Sequence, residues 1–443
     1  MVKLVFSQSS STLTSCVAAA LVFATASVQF SEASEAGGNL PKLMLFSFDG
    51  FGWNYLQKLP KSSIPNFHKF IDSGVHVRWI ENVFPTVTRT NHMSMVTGLY
   101  AESHGIVHNH FYDSALNASV PSPGNLTDSK WVDVGSEPIW VTNSKAGGNR
   151  RSGCILWPCA DAKIKGILPE KQMPGEWTVT LETFNSTERI DLALKWLTDP
   201  SEEVNFVAVY FDQPDEISHQ HGPDSEEVAT AIRTYDKTLE YLLNQIEEKG
   251  LSGKLNVIIT ADHGQLPVRV ENQVNIDSLV EREWFFSQPY LDRPRTMINM
   301  WPKQEGSHGW DPRYSINMYP FFIATGPAFK KGVRDAAPFR MVDIYPMMCH
   351  ILGLEPAPNN GTLDNVRHIL ATDERSRSLT SYVGVTIGVI VAMLGVVAVV
   401  VILWKIRQGR NVSASYKRTF AKAGTWEDQR MQDGMVVLSD EEL

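Results

Sequence analysis

The fold of this chain is decided by the stretch LMLFSFDG, residues 43–50, in which a largely apolar run leads directly into Asp49. Two later segments repeat this pattern. The run 206–211 leads toward Asp215, and the run 257–260 leads into Asp262. Short apolar runs of this kind predict buried strands. Ligands of an open parallel sheet collect outside the carboxyl ends of its strands, so we expect these acidic residues to converge on one point.

Helical patterns alternate with these strands between about residues 42 and 370. Apolar residues recur at three- and four-residue spacing in the segments 186–197 and 226–249. Alternation of strands with amphipathic helices is typical of layered α/β domains. The sequence therefore predicts an α/β fold with a mostly parallel sheet flanked by helices.

Residues that bind divalent metals well lie at or near these strand ends: Asp49, Asp215, His219, Asp262, His263 and His308. Asp215 and His219 are four residues apart and would share one side of a helical turn, although an exposed pair of this kind is usually only a weak electrostatic contact. Asp262 and His263 follow a buried strand, where their desolvation is costly without a partner. His308 lies on a glycine-flanked loop that can approach a metal closely. Three Asp and three His suit a pair of zinc ions and indicate a hydrolase.

Three threonines are candidate nucleophiles: Thr86, Thr88 and Thr90 alternate just before a predicted helix at residues 91–97. A hydroxyl at a helix N-terminus normally caps the helix. It becomes a nucleophile where a metal lowers its pKa and the helix dipole favours phosphate. The residues alone do not choose among the three threonines.

Both ends of the chain have the character of targeting segments. Lys3 precedes an apolar stretch and small residues, which predicts a signal peptide cleaved between about residues 26 and 36. A charge-free apolar span is followed at once by Lys405 and Arg407, which predicts a membrane helix with its C-terminal side in the cytoplasm. The expected organisation is a signal peptide at 1–34, a catalytic domain at 37–371, a stalk at 372–381, a transmembrane helix at 382–404 and a cytoplasmic tail at 405–443.

Charge and glycosylation motifs agree with a protein of the cell surface. The net charge of −9 argues against a nucleic-acid-binding protein, which would carry a basic stripe. Asn-X-Ser/Thr motifs, which mark glycosylation of extracellular segments, occur at Asn117, Asn125, Asn185 and Asn360. We therefore expect a single-pass type I protein of the cell membrane with its catalytic domain outside the cell.

Three cysteines remain after the expected signal peptide. Cys154 and Cys159 are close enough in sequence to close a small loop, which leaves Cys349 as an odd cysteine. Cys349 lies in an apolar helical pattern and is expected to be a buried small hydrophobe.

The chain contains a series of short motifs: FSFDGF at 46–51, TRTNH at 88–92, VTGLYAESHGIVHN at 96–109, Pro214-Asp215, TADHG at 260–264 and SHGWD at 307–311. Together these motifs resemble the ectonucleotide pyrophosphatase/phosphodiesterase family of the alkaline phosphatase superfamily. The resemblance spans nearly the whole expected catalytic domain, in the family's order, and is strongest toward the small membrane-anchored branch that includes the bis(5′-adenosyl)-triphosphatase.

The resemblance implies an alkaline-phosphatase-like core and a role for each motif residue. Thr88 matches the nucleophile, which would form a phospho-threonine intermediate, and Asn109 matches the residue that holds the phosphoryl oxygens. Two zinc ions are implied, one bound by Asp215, His219 and His308, and the other by Asp49, Asp262, His263 and the Thr88 oxygen. The implied substrates are small phosphodiesters or pyrophosphates, above all nucleotides such as dinucleoside polyphosphates, NAD and nucleoside triphosphates.

The sequence departs from the family at the expected base-binding slot. Arg89 stands where nucleotide-preferring members have an aromatic residue, and Gln172 stands where they have a tyrosine. Each base–aromatic stack contributes about 1–3 kcal/mol, so both losses would reduce nucleotide selectivity unless Trp177 takes over. Arg89 is expected either to contact a second phosphate or carboxylate of the substrate, or to point to solvent.

Three other functions were weighed against nucleotide hydrolysis. The missing aromatic slot leaves room for choline-type phosphodiesters. A catalytically silent surface protein is disfavoured by the complete set of ligands and nucleophile. A sulfatase or phosphomonoesterase is disfavoured because Thr88 is not a serine and the sequence has no Cys-X-Pro-X-Arg motif.

Overall fold

A computed structural model of the chain describes residues 40–113, 115–120, 126–175, 184–268, 306–371 and 393–408. Several predictions fall outside these ranges. They are the signal peptide at 1–34, the stalk, the first part of the expected membrane helix, the tail beyond residue 408, Asn125 and Trp177.

The described strands form one large sheet and two small ribbons. The strands are β1 (Lys42–Phe48), β2 (Val75–Val77), β3 (Tyr112–Asp113), β4 (Ala118–Ser119), β5 (Ser152–Ile155), β6 (Lys171–Met173), β7 (Phe206–Phe211), β8 (Leu255–Thr260), β9 (Leu266–Pro267), β10 (Gly306–Ser307), β11 (Phe322–Thr325) and β12 (Val333–Ala336). The large sheet has eight strands in the order β12-β2-β11-β8-β1-β7-β5-β6. β9 pairs with β10, and β3 pairs with β4.

The described α-helices connect these strands. They are α1 (Tyr55–Lys58), α2 (Pro65–Ser73), α3 (Thr88–Thr97), α4 (Ala101–His104), α5 (Ile139–Lys145), α6 (Ser186–Leu197), α7 (Asp215–His221), α8 (Glu226–Glu248) and α9 (Ile344–Leu352). Short 3₁₀ helices lie at Lys61–Ser63, Ser129–Trp131, Ile316–Met318, Met341–Asp343 and Leu363–Val366.

The sheet is mixed, with a parallel centre. β1 pairs in parallel with both β7 and β8, which brings the three strands predicted from sequence side by side. β11 runs antiparallel to its neighbours β8 and β2, while the other neighbouring pairs of this sheet are parallel. The prediction of a mostly parallel α/β sheet is therefore confirmed, with β11 as the exception.

The centre of the sheet is covered on both faces. Every residue of β1, β7 and β8 is buried. Because successive side chains of a strand point to opposite faces of the sheet, both faces must be packed. Helix α8 contacts both α2 and α6, and helix α9 contacts both α3 and α5, which gives two groups of helices. The core joins the sheet to both groups through large apolar side chains.

Two glycines let the strand ends come close together. Gly50 follows Asp49 with a φ of +68°, and a Cβ atom there would lie 2.7 Å from the Asp215 carboxylate. At Gly264, a Cβ atom would lie 2.0 Å from the Asn317 carbonyl oxygen. A side chain at Gly50 would therefore clash with the segment that carries Asp215, and one at Gly264 would clash with the segment that carries Asn317.

The cysteines are buried. Cys154 lies in β5 with a free thiol, so it forms no bridge to Cys159. Cys349 is a buried residue of α9, as its apolar surroundings in the sequence predicted.

The chain divides into two compact units, Met1–Ala371 and Thr372–Leu443. Within the second unit, residues 393–408 form a helix with exposed side chains, and 393–404 belong to the expected membrane span. Of the helices that the structure describes, none combines the length and the apolar character that crossing a membrane requires.

Candidate active site

The predicted acidic residues converge at the carboxyl ends of the three central strands. Asp49 directly follows β1, Asp215 begins α7 shortly after β7, and Asp262 lies two residues beyond β8. Backbone hydrogen bonding joins these ends, because the Asp215 amide donates to the Asp49 carbonyl oxygen at 3.1 Å. The Gly50 amide donates to Asp262 Oδ1 at 3.1 Å. The parallel register of the sheet therefore creates the site.

One group of possible ligands consists of Asp215, His219 and His308. Asp215 and His219 share the first turns of α7, with His219 Nε2 lying 3.2 Å from Asp215 Oδ2. His308 arrives from the loop after β10, with its Nε2 3.8 Å from Asp215 Oδ1. The Nδ1 atom of His308 lies 2.9 Å from the Thr86 carbonyl oxygen. Because a carbonyl can only accept, Nδ1 donates there and the Nε2 lone pair faces Asp215.

A second group consists of Asp49, Asp262 and His263. His263 Nε2 lies 3.4 Å from Asp49 Oδ1 and 3.2 Å from Asp262 Oδ2. His263 Nδ1 faces the Gly264 carbonyl oxygen at 3.2 Å, which again leaves Nε2 as the lone-pair atom. Asp215 also has a carboxylate oxygen within 4.8 Å of ligand atoms of Asp49 and His263, so it lies between the two groups.

Buried atoms without hydrogen-bond partners indicate that this second group of residues suits a cation. Asp49 Oδ1, Asp262 Oδ2 and His263 Nε2 are buried and have no hydrogen-bond partner among the described residues. Buried polar atoms without partners cost free energy, and these three are lone-pair acceptors that face one another. A cation between them would give each atom a partner and would offset the repulsion between the acceptors. Carboxylate oxygens together with imidazole nitrogens are ligands of zinc and of other divalent metals.

The pKa values of the carboxyl groups report the same crowding. Burial and the neighbouring charges of Asp262 and Asp215 raise the pKa of Asp49 well above its usual range. Burial, followed by the charge of Asp215, raises the pKa of Asp262 to about 8. Asp215 differs, because the charges of His219 and His308 outweigh burial and lower its pKa. Three carboxylates in one buried site need compensating positive charge.

Two of the histidines, His263 and His308, are held neutral at ordinary pH. Burial lowers the pKa of His263 well below its usual value. Burial also lowers the pKa of His308 to about 4. Neutral imidazole is the form that binds metals, so both residues are prepared as ligands without losing a proton.

Residues around the acidic groups orient them, and the sequence analysis did not identify these residues. The hydroxyl of Tyr210, in β7, donates to Asp49 Oδ2 at 2.5 Å. The amide of Gln265 donates to the Asp215 carbonyl oxygen at 3.2 Å and also contacts its carboxylate. In sequence, Tyr210 is indistinguishable from a core residue of a strand, so only the neighbouring strand in the fold reveals its role.

The three candidate threonines occupy different environments. The Thr86 hydroxyl donates to the Trp310 carbonyl oxygen at 2.8 Å, which ties it to the loop that carries His308. Thr90 is fully buried, and its hydroxyl has no hydrogen-bond partner among the described residues. Thr88 is the first residue of α3, which therefore begins three residues earlier than predicted. Of the three, Thr88 has its hydroxyl at the helix N-terminus.

Arg89 is directed inward. Its side chain is 0% exposed, so the expectation that it points to solvent is wrong. Its backbone amide donates to Asn109 Oδ1 at 2.8 Å, and its guanidinium Nη1 donates to the Asn109 carbonyl oxygen at 2.9 Å. Gln172, in β6, donates its amide to the Ala160 carbonyl oxygen at 2.7 Å.

The described glycosylation motifs lie on the surface. Asn117, Asn185 and Asn360 are exposed. Asn185 also caps α6, because its side-chain oxygen accepts from the amides of Thr187 and Glu188. That geometry uses only the oxygen of the Asn185 side chain, and glycosylation occurs on its nitrogen.

The chain is similar to known proteins over most of its length. Residues 43–319 match the family model of type I phosphodiesterase / nucleotide pyrophosphatase. The chain is 33% identical to the bis(5′-adenosyl)-triphosphatase enpp4 of Xenopus laevis, over 82% of this chain and 89% of that protein. It is 32% identical to ectonucleotide pyrophosphatase/phosphodiesterase family member 5 of Homo sapiens, over 74% and 78% respectively.

Solved structures show the same relationship. The murine ectonucleotide pyrophosphatase/phosphodiesterase 5 superposes with a TM-score of 0.65 at 30% identity, covering 74% of this chain and all of that chain. A second structure of the murine protein, an inactive threonine-to-alanine variant in complex with AMP, superposes with a TM-score of 0.64 at 29% identity and covers 75% of this chain.

Metal removal should make stability fall with rising pH. A carboxyl whose folded pKa is raised stabilises the protein below its unfolded pKa, and this contribution is lost as the pH rises through the folded value. For Asp262 the loss extends to about pH 8. The lowered pKa values of His263 and His308 act only below about pH 6.5. Between about pH 6.5 and 8.5, the Tm of metal-free protein should therefore fall by about 2 °C or more relative to zinc-loaded protein. If calorimetry gives the same change of Tm with pH for metal-free and zinc-loaded protein, the carboxyl groups do not destabilise the metal-free site in this way.

Substitution of Tyr210 by Phe should weaken metal binding. The change removes the hydroxyl that orients Asp49 and keeps the ring. Loss of a partner that orients a metal ligand typically costs about 10–100-fold in metal affinity. Zinc affinity is measured by competition with a chelator. Tyr241→Phe is the matched control, because its hydroxyl contacts Asp191 on the surface. Equal zinc affinities of the two variants would exclude the orienting role.

Proposed function

Because the chain belongs to the type I phosphodiesterase / nucleotide pyrophosphatase family, we propose that it hydrolyses phosphodiester or pyrophosphate bonds in nucleotides. Dinucleoside polyphosphates are the leading substrate class, with NAD and nucleoside triphosphates as further candidates. The observation that carries this proposal is the convergence of buried Asp and His lone pairs at the strand ends. Helix α3 lies next to them, because Nδ1 of its residue His92 is 3.5 Å from Asp262 Oδ2. The relatives support it, since one is a bis(5′-adenosyl)-triphosphatase and another binds AMP as a threonine-to-alanine variant.

The proposed metal centre holds two zinc ions. Asp215, His219 and His308 would bind one ion. Asp49, Asp262 and His263, together with the Thr88 oxygen, would bind the other. When bound, the ions supply Lewis-acid chemistry that lowers the pKa of a bound hydroxyl and neutralises phosphoryl charge.

The chain's own residues give the order of the reaction. The deprotonated hydroxyl of Thr88 attacks phosphorus, and the bond from phosphorus to the leaving oxygen breaks as the bond to Thr88 forms. Water then attacks the phospho-threonine, releases the nucleoside monophosphate and restores Thr88. Asn109 donates from its side-chain amide to the non-bridging oxygens, where negative charge develops. The N-terminus of the ten-residue helix α3 adds a favourable dipole for that charge.

A second candidate substrate class is favoured by the environment of the nucleophile. Arg89 is buried, and Gln172 is not aromatic, so neither residue provides a wall on which a base stacks. Trp177, the remaining candidate for that wall, lies outside the described residues. Choline-type phosphodiesters need no such wall and are retained as the alternative. The complete set of metal ligands argues against a silent surface protein.

Substrate competition tests the proposal. The purified full chain, supplied with zinc, is expected to cleave diadenosine triphosphate faster than glycerophosphocholine. Thr88→Ala should lower turnover at least about a thousandfold, because it removes the nucleophile. Thr90→Ala is the matched control and should retain most activity. Acid quenching with adenosine-labelled diadenosine triphosphate should recover the nucleoside monophosphate joined through its phosphate to Thr88.

Each contrary outcome has a distinct meaning. Faster cleavage of glycerophosphocholine than of diadenosine triphosphate would indicate that choline-type phosphodiesters are the substrate class. No cleavage of either substrate by the wild-type chain would support the silent protein. Full activity of Thr88→Ala would refute the proposed nucleophile.

The proposed location is the cell surface in type I orientation, with residues 37–371 outside the cell and residues 405–443 in the cytoplasm. This proposal rests on the charge-free span at 382–404 and the basic residues that follow it. An epitope at the C-terminus of the full chain should bind antibody only after cells are permeabilised, while endoglycosidase should reduce the mass of the surface protein. Antibody binding to intact cells would reverse the orientation.

A further inference from the structure

Arg89 and Asn109 are joined by two hydrogen bonds although they lie twenty positions apart in the chain. One bond runs from the Arg89 backbone amide to the Asn109 side-chain oxygen, and the other from the guanidinium to the Asn109 backbone oxygen. Arg89 is thus held at both ends by a single residue. It is also the residue that follows Thr88.

These bonds determine how the Asn109 amide faces the site. Because Oδ1 accepts the Arg89 amide proton, Nδ2 must occupy the other side of the amide plane. Asn109 is only half-buried. The backbone bond from the guanidinium fixes the position of the same residue. Side chain and backbone of Asn109 are therefore both constrained relative to the start of α3.

Burial of a guanidinium requires compensation, and Asp161 provides part of it. Among the described residues, Asp161 is an acidic group whose charge interacts with Arg89. Burial raises the pKa of Asp161, and both a hydrogen bond and the charge of Arg89 oppose that rise. The hydrogen bond comes from the Gly175 amide at 2.9 Å and anchors the Asp161 carboxylate. Arg89 therefore connects α3 with the segments that carry Asn109 and Asp161.

We infer that Arg89 is a positioning residue that holds the Asn109 amide beside Thr88, with its N–H groups directed at a phosphoryl oxygen of the substrate. The inference rests on the proposed function, which supplies that substrate. It assigns Arg89 an indirect role and removes it from the residues that contact the leaving group or the base. The two hydrogen bonds between Arg89 and Asn109 are called the clamp below. The clamp gives position 89 a role that needs no aromatic side chain.

A double-mutant cycle on the full-length enzyme tests the inference. Arg89→Met removes the guanidinium, Asn109→Ala removes the amide, and the double variant removes both. Misplacing a catalytic group should lower kcat for diadenosine triphosphate about 10–100-fold in Arg89→Met, with little change in KM. In the Asn109→Ala background, Arg89→Met should change kcat less than about twofold, because a residue that acts only through Asn109 has nothing left to position.

Other outcomes overturn the inference. If the loss of kcat in the double variant equals the product of the losses in the two single variants, Arg89 acts independently of Asn109. A raised KM that persists without Asn109 would show direct contact with the substrate. Arg313→Met is the matched control, since that guanidinium is exposed and paired with Asp311. It should leave kcat unchanged. If Arg89→Met does not fold, Arg89→Gln takes its place in the same cycle.

A binding experiment separates this inference from the proposed function. The same cycle is measured for AMP affinity in a Thr88→Ala background, which needs no turnover. Arg89→Met should weaken AMP binding only while Asn109 is present. If the wild-type chain fails to hydrolyse nucleotides but this dependence is observed, the function fails and the clamp stands. Hydrolysis without this dependence, in kcat and in AMP affinity alike, would leave the function standing and overturn the clamp.

Discussion

The candidate active site depends on the close approach of lone-pair atoms at the carboxyl ends of β1, β7 and β8. Asp49, Asp262 and His263 direct oxygen and nitrogen atoms at one another within hydrogen-bonding distances, and these atoms have no hydrogen-bond partner among the described residues. Without a cation, burial and the neighbouring negative charges favour protonated carboxyl groups, and the pKa of Asp262 rises to about 8. A bound cation would balance the ionised carboxylates instead. The rigid parallel sheet, buried on both faces, supplies the packing energy that keeps the groups together until a cation binds.

The sheet also explains why remote segments cooperate. Tyr210 orients Asp49 from the adjacent strand. Thr86 links the loop before α3 to the loop that carries His308, through its hydroxyl and its carbonyl oxygen. Arg89 links the beginning of that helix to Asn109. Each connection fixes a functional group relative to the sheet, which suits a reaction that depends on in-line geometry.

Much of this architecture is predictable from sequence, for local reasons. Strands β7 and β1 and helix α6 follow from apolar periodicity, and the ligands follow from acidic residues and histidines at the strand ends. The antiparallel direction of β11 could not be predicted, because it depends on the path of the chain between β8 and β11. The burial of Arg89 is likewise invisible in sequence, since a partner twenty residues away determines it. The early start of α3 shows that Thr88 belongs to the helix itself, and propensity at helix ends does not fix that boundary.

The two groups of Asp and His residues are proposed to bind two divalent cations. Anomalous X-ray diffraction at the zinc absorption edge, from crystals of zinc-loaded protein, is the decisive measurement. Two peaks are expected, one among Asp215, His219 and His308 and one among Asp49, Asp262 and His263. A single peak, or zinc bound elsewhere with both groups empty, would contradict this proposal.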